Sequence, residues 1–346
     1  MQNDVFSFLW SVPEKGYKWI EGRVAKQGGE LEDRPTWVLT DNLTVGQEYR
    51  MKQYAPLFEF TGLFRTFANI PYESRDAILG FANEYGVLGI SKILALPRTN
   101  AKPVATVEGF PMGWGETLSD WEMQIDEMRR AIFIWEMVEN RDELALKKFI
   151  RWQDAVPPRG HSLGGVAGWV YDSHPDLPPI WVDPVRGAPS PQRTTQLIQP
   201  VLDLFRPGDV LVPASFMVQR WINNHLQEHV APRLVYQLDR GKRVMQIVPS
   251  NLLSAMWLQF AQAIDGSRKY RKCKECGTWF ELSHKQSEHR TVRRLFCSDQ
   301  CKSKDYRDRK DRAKRLMIAG KSIKDISKEL NTDSQTLKKW LAKEKR

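Results

Sequence analysis

The chain is poor in cysteine: it has four in 346 residues, all between positions 273 and 301. A disulfide framework belongs to short secreted domains that cannot bury enough surface, whereas a chain of this length can build a core without staples. Long apolar runs are missing too. No stretch of about 18 consecutive apolar residues spans a membrane, and no cationic and apolar leader opens the sequence. The expectation is a soluble, cytoplasmic protein without a membrane partner. No internal repeat or low-complexity segment stands out, and the length allows two or three domains.

What the few cysteines do follows from their spacing. They read Cys273-x2-Cys276-x20-Cys297-x3-Cys301. Two thiolate pairs brought together by a short hairpin make a closed four-sulfur site for one structural Zn²⁺. Disulfides and unpaired buried thiols are the competing uses. Gly277 after Cys276 suits a knuckle in which backbone N–H groups turn toward sulfur. Thr278–Leu282 reads as a strand, and Cys297 and Cys301 stand at i and i+4 on one face of a beginning helix. His284 and His289 read as solvated loop residues, because four sulfurs already fill the shell. Knuckle, hairpin and helix start describe a treble clef. On Cys273, Cys276, Trp279, Phe296-Cys297-Ser298 and Cys301, the segment resembles the FCS-type fingers and, more loosely, the CGNR zinc finger of bacterial regulators. It departs from the latter because Lys302-Ser303-Lys304 follows the last cysteine in place of Gly-Asn-Arg.

Positive charge is concentrated in the same quarter. Residues 266–346 hold 25 Lys+Arg and 11 Asp+Glu, a net of +14; since the whole chain is +10, residues 1–265 carry −4. Such a tail can displace counterions from phosphate backbones, although a basic tail can also be merely solvated. Lys302 to Met317 lacks Gly and Pro and reads as one basic helix leaving the finger, with interleaved aspartates available for i,i+3 and i,i+4 pairs. Gly320 fits a helix C′ position, and Ser322-x-x-Asp325 opens the next helix as a capping box. Ile323, Ile326 and Leu330 share one face; Asn331-Thr332-Asp333 forms a turn; Leu337, Trp340 and Leu341 follow on a second short helix. Over about 25 residues this resembles the helix-turn-helix of resolvase- and transposase-type DNA-binding regions. The expected phosphate contacts are Lys302, Lys304, Arg307, Arg309, Arg312 and Arg315. Ser334, Gln335, Lys338 and Lys339 form the expected base-facing set, with double-stranded DNA as the partner.

The upstream region is less legible. Tyr17–Ile20 and Trp37–Leu39 look like short strands, and Arg75–Tyr85 like a helix. Ser119 can cap a helix with the stripe Trp121, Ile125, Met128, Ile132 and Trp135. A second helix is expected near Asp142–Trp152, then Ala214–His229, a hairpin of Arg233–Tyr236 with Val244–Val248, and a helix at Leu252–Ile264. Residues 155–215 hold 11 of the 20 prolines and read as an irregular crossing. In outline, residues 110–305 resemble the ABATE-type regions that precede CGNR fingers. That resemblance implies a regulator whose N-terminal part senses an unspecified signal. The thirteen tryptophans are expected in the core.

Two apparent enzyme motifs are discounted. Gly160-His161-Ser162-Leu163-Gly164 spells a nucleophile elbow, but Val156-Pro157-Pro158-Arg159 cannot form the strand that an elbow needs. His174, Asp172 and Asp176 also lie too close to it for the hydrolase order. His225-Leu226-Gln227-Glu228-His229 spells an inverted zincin motif without an evident third ligand. No catalytic residue is assigned, and a nucleic-acid-directed enzyme and a zinc-dependent interaction module stay as rival classes. The reading is a mainly α protein with small β hairpins, α+β at its N-terminus, followed by a treble-clef zinc finger and a helix-turn-helix. Its expected divisions are 1–105, 106–265 (ABATE-like), 266–306 (finger) and 307–346 (basic helix and helix-turn-helix). A homodimer and the N-terminal ligand are left open.

Overall fold

In the computed structural model the chain divides into two compact units, Met1–Asp265 and Gly266–Arg346. The structure describes residues 7–24, 35–41, 50–71, 73–95, 106–107, 110–153, 166–169, 180–182, 208–237, 241–266, 269–282 and 294–342. The apparent elbow at 160–165, His174 with its neighbouring aspartates, and His284 and His289 lie outside these residues.

The first unit is α+β. Strand β1 (Trp10–Pro13), β2 (Tyr17–Val24), β3 (Thr36–Asp41) and β4 (Met51–Tyr54) precede short helices α1 (Pro56–Glu59) and α2 (Leu63–Ala68), then α3 (Arg75–Tyr85). Strands β5 (Lys92–Ala95), β6 (Thr106–Val107) and β7 (Phe110–Thr117) follow. β1 pairs with β4, while β2, β3, β5 and β7 pair in a closed antiparallel circuit. β2 holds β3 through Tyr17↔Asp41 to Gly22↔Thr36 and β5 through Arg23↔Ala95. β7 then joins β5 through Ile93↔Trp114 and β3 through Leu39↔Glu116. Residues on both sides of position 105 therefore build one sheet, and no division falls there. Phe110, Met112 and Trp114 alternate with Pro111, Gly113 and Gly115, and it is these sheet-depleted residues that mask the strand.

Helix α4 (Leu118–Glu139) starts at Thr117 rather than Ser119: the Thr117 hydroxyl accepts from the Asp120 amide at 3.2 Å. Its stripe Trp121, Ile125, Met128, Ile132 and Trp135 is buried. α5 (Glu143–Phe149) is capped by Asp142 and ends where β8 (Ile150–Gln153) begins a small sheet with β9 (Val166–Trp169) and β10 (Ile180–Val182). α6 (Leu211–Gln227) leads into the hairpin β11 (Val230–Gln237) and β12 (Lys242–Pro249), registered by Leu234↔Met245. α7 (Leu252–Asp265) is buried on every side from Leu252 to Phe260, as a helix apolar all round should be. Phe260 meets Phe64, Trp135 and Trp257 at ring centroid distances of 5.4, 5.4 and 6.0 Å.

Two polar side chains in this core tie distant segments together. Gln259 donates to the carbonyls of Pro56 and Phe60 at 2.8 and 2.9 Å, which fixes α1 against α7. Fully buried Glu116 accepts from the amides of Leu88, Gly89 and Ile90 at 2.9, 2.6 and 2.9 Å. Burial pushes its carboxyl up to about 7 despite the opposing effect of those amides.

The second unit contains the hairpin β13 (Lys269–Lys272) and β14 (Trp279–Leu282), then α8 (Asp299–Ile318), α9 (Ile323–Leu330) and α10 (Ser334–Ala342). α8 is continuous through the expected division at 306/307. The buried side chains of Ala313, Ile326, Leu330, Leu337 and Trp340 form a small core shared by the last three helices. No described helix of the chain is long and apolar enough to cross a membrane.

Candidate metal centre and its attached helices

Register in the β13–β14 hairpin brings Lys272 opposite Trp279, so the intervening residues must turn back sharply. Gly277, at φ +72°, makes that turn in a region that side chains disfavour. Its amide donates to the Cys273 carbonyl at 3.0 Å, and the Cys273 amide donates to the Thr278 carbonyl at 2.9 Å. The second cysteine pair arrives from the start of α8. Ser298 caps this helix by accepting from the Cys301 amide at 3.2 Å. The Lys274 amide donates to the Leu295 carbonyl at 3.0 Å, which docks the incoming strand of chain on the knuckle.

The four sulfurs all lie within 4.8 Å of one another. Cys276 and Cys297 are 3.6 Å apart, and Cys297 and Cys301 are 3.5 Å apart. A disulfide would need about 2.05 Å. Tetrahedral coordination at a Zn–S distance of about 2.3 Å puts sulfurs about 3.8 Å apart, so the cluster fits a metal ion with little adjustment. Electrostatics agree. Burial opposes ionisation of Cys273, but N–H donation from Cys276, Cys297 and Glu275 brings its thiol down to about 6. Burial and the three neighbouring sulfurs push Cys297 up to about 12. Cys273 ionises readily, and the ionisation of Cys297 beside it is resisted until a cation enters.

Around the sulfurs, Arg294 has an unforeseen role. Its guanidinium donates to the carbonyls of Phe296 and Cys297 at 3.1 and 2.6 Å and lies over the Phe280 ring at 5.1 Å. It braces the backbone that carries Cys297. Lys304 pairs with Glu275 at 2.9 Å, and the Glu275 carboxylate holds its ammonium pKa above the usual lysine range.

The other expected nucleic-acid contacts separate into two groups. Lys302, Arg307, Arg315, Ser334, Gln335, Lys338 and Lys339 are exposed. Arg312 is exposed too but reaches Glu329 at 2.9 Å, and the partly buried Arg309 is held by Asp305 at 2.7 Å. Arg309 also donates to the Thr332 hydroxyl at 3.3 Å, so it serves the interior of the unit rather than its surface. The Asp305–Arg309 spacing of four was visible in the sequence, but the partner in the turn was not. That turn is well defined. Asn331 adopts φ +44°, Ser327 donates to the Thr332 carbonyl at 2.8 Å, and Asp333 caps α10 by accepting from the Thr336 amide at 2.8 Å. Trp340 donates to the Tyr306 hydroxyl at 2.8 Å, tying α10 to α8 a second time.

Among the described residues the inverted zincin pattern does not assemble a metal site. His225 Nε2 lies 3.1 Å from Glu127, and its ring stacks on Trp257 at 4.3 Å. His229 lies past the end of α6, with Nδ1 3.4 Å from the Ser250 hydroxyl. Among the described residues, the four cysteines are the converging set of three or more ligand groups. Compared with known proteins, the chain matches no family model, no curated protein and no solved structure.

Proposed function

We propose that the protein is a zinc-dependent DNA-binding protein acting in transcriptional regulation, of the kind that its finger resembles. One observation carries the reading: a four-sulfur cluster at the start of α8, whose helix runs on into a helix pair with an exposed polar and basic second member. Zinc is the ion of choice because an all-thiolate, closed set of four favours it over hard cations. Knuckle, hairpin and α8 are the parts of a treble clef. α9, the Asn331 turn and α10 are the parts of a helix-turn-helix. Leu337 and Trp340 turn inward, which leaves Ser334, Gln335, Lys338 and Lys339 on the outer face. The net +14 of residues 266–346 adds phosphate affinity that carries no sequence information.

The test is selection of duplexes from a random library by the purified zinc-loaded protein, followed by binding titrations at several salt concentrations. Enrichment of a common sequence, with affinity falling steeply as salt rises, supports the reading. Salt-dependent binding without enrichment leaves a non-specific nucleic-acid binder. No binding at low salt removes DNA as the partner and favours a protein-interaction module.

A further inference from the structure

Arg309 sits where three features of the second unit meet. It stands eight residues, a little over two helical turns, beyond the metal-cluster residue Cys301 on α8. Midway is Asp305, buried, whose carboxylate takes the Arg309 Nε–H at 2.7 Å. A second nitrogen of the same guanidinium donates to Thr332 at 3.3 Å, in the turn that sets α10 against α9. Thr332 passes the constraint on, because its hydroxyl donates to the Leu330 carbonyl at 3.0 Å and its amide donates to the Ser327 carbonyl at 3.1 Å. A planar fork with two donors is what permits one side chain to hold both a carboxylate and a hydroxyl.

We infer that Arg309 is a positioning residue that couples the metal centre to the α9–α10 turn, through Cys301, Asp305, Arg309 and Thr332. A metal held by Cys297 and Cys301 pins the first turn of α8, the part of a helix that otherwise frays. Asp305 stands one turn beyond the pinned one and orients Arg309, and Arg309 holds the turn from which α10 departs. Metal occupancy thereby sharpens the orientation of α10. Only the last step, better DNA binding, rests on the DNA reading; the brace itself does not.

Arg309→Lys is the discriminating change. Lysine keeps the charge and can still reach Asp305, but it cannot span both partners. In the full-length zinc-loaded protein, amide hydrogen exchange at residues 331–337 should quicken about tenfold in the variant, with zinc content unchanged. Chelation should quicken the same amides in the wild type and do so several-fold less in Arg309→Lys, where the link is already cut. Unchanged exchange in the variant, or equal effects of chelation in both proteins, overturns the inference. Asp305→Asn, which keeps the arginine but removes its anchor, should behave like Arg309→Lys.

With duplex DNA, Arg309→Lys should weaken binding while leaving the slope of log affinity against log salt as it was. A phosphate ligand would show the reverse: lysine would preserve affinity, and alanine would lower the slope by about one. That reverse pattern, together with unchanged exchange, overturns the coupling. If the wild type binds no DNA, the DNA reading fails while the exchange comparison still decides the brace.

Discussion

The two units of this chain hold themselves together differently. Around Trp121, Trp257 and Phe260 the first unit buries whole aromatic rings from α2, α3, α4 and α7. In the second unit, the segment from β13 to the start of α8 buries only Cys273 and Phe280 among its described residues. Apolar burial at about 25 cal/mol per Å² can stabilise the former and falls far short for the latter. A small module of that kind takes its folding free energy from a metal. Its three following helices have a core of their own, made of five buried residues. The difference is between a unit held by packed aromatic rings and a segment that has four clustered cysteines where a core would be.

The largest expected effect breaks the comparison at the metal. One Zn²⁺ per chain is expected, and Cys273→Ser or Cys297→Ser should abolish it and unfold residues 269–301. The lost free energy is on the order of 10 kcal/mol, as for zinc-finger peptides. The melting of the first unit should not move. Metal analysis after zinc-replete purification checks the stoichiometry, and a clearly substoichiometric value sinks the metal reading.

The complementary change lies in the first unit. Phe260→Ala removes a ring that touches three others, and should cost about 3–5 kcal/mol in denaturant unfolding while zinc content stays constant.

Acidity sharpens the contrast within that unit. Glu116 is raised from 4.5 to about 7 in the folded state, so between those values the folded chain keeps a proton that the unfolded chain has released. Its contribution to stability is therefore present below about pH 4.5 and is lost as pH rises through 7. The total is about 3 kcal/mol at 1.36 kcal/mol per pH unit. Glu116→Gln should flatten this dependence, measured as unfolding midpoints between pH 4.5 and 8; an equal slope in both proteins would assign it to another group.

The smallest effects separate reading from gripping on the second unit. Gln335→Ala and Lys338→Ala should relax preference at particular base pairs by about 1–3 kcal/mol. Arg307→Ala and Arg315→Ala should weaken all duplexes alike and lower the salt slope by about one each. Uniform weakening by both sets would mean that α10 does not read bases.

Legibility in the sequence follows the range of the forces involved. The spacing within each cysteine pair, the Ser322 and Asp333 caps, Gly320 at its positive φ and the left-handed Asn331 are decided within four residues of chain, and the structure places them accordingly. Helices at Arg75–Tyr85 and Leu252–Asp265 were equally readable, since each buries a continuous face or its whole circumference. β7 was not, because Pro111, Gly113 and Gly115 lower its strand propensity and its pairing with β3 is chosen by partners more than seventy residues upstream.

By itself, then, the sequence settled where a metal can be held, where the helices of the last 81 residues are capped and broken, and that the cationic excess belongs to those residues. Only the tertiary structure decided which charges are spoken for. Arg309 and Arg307 are indistinguishable as letters in a basic helix, yet one points to Asp305 and Thr332 and the other to water. Glu116 is one acid among 42 until its carboxylate meets three amides from residues 88–90. His225 reads as half of a metal motif until Glu127, 98 residues away, takes its ring nitrogen. Propensity, capping and ligand spacing are local energies written along the chain, whereas the partner of a charged side chain is whichever distant element the fold delivers to it.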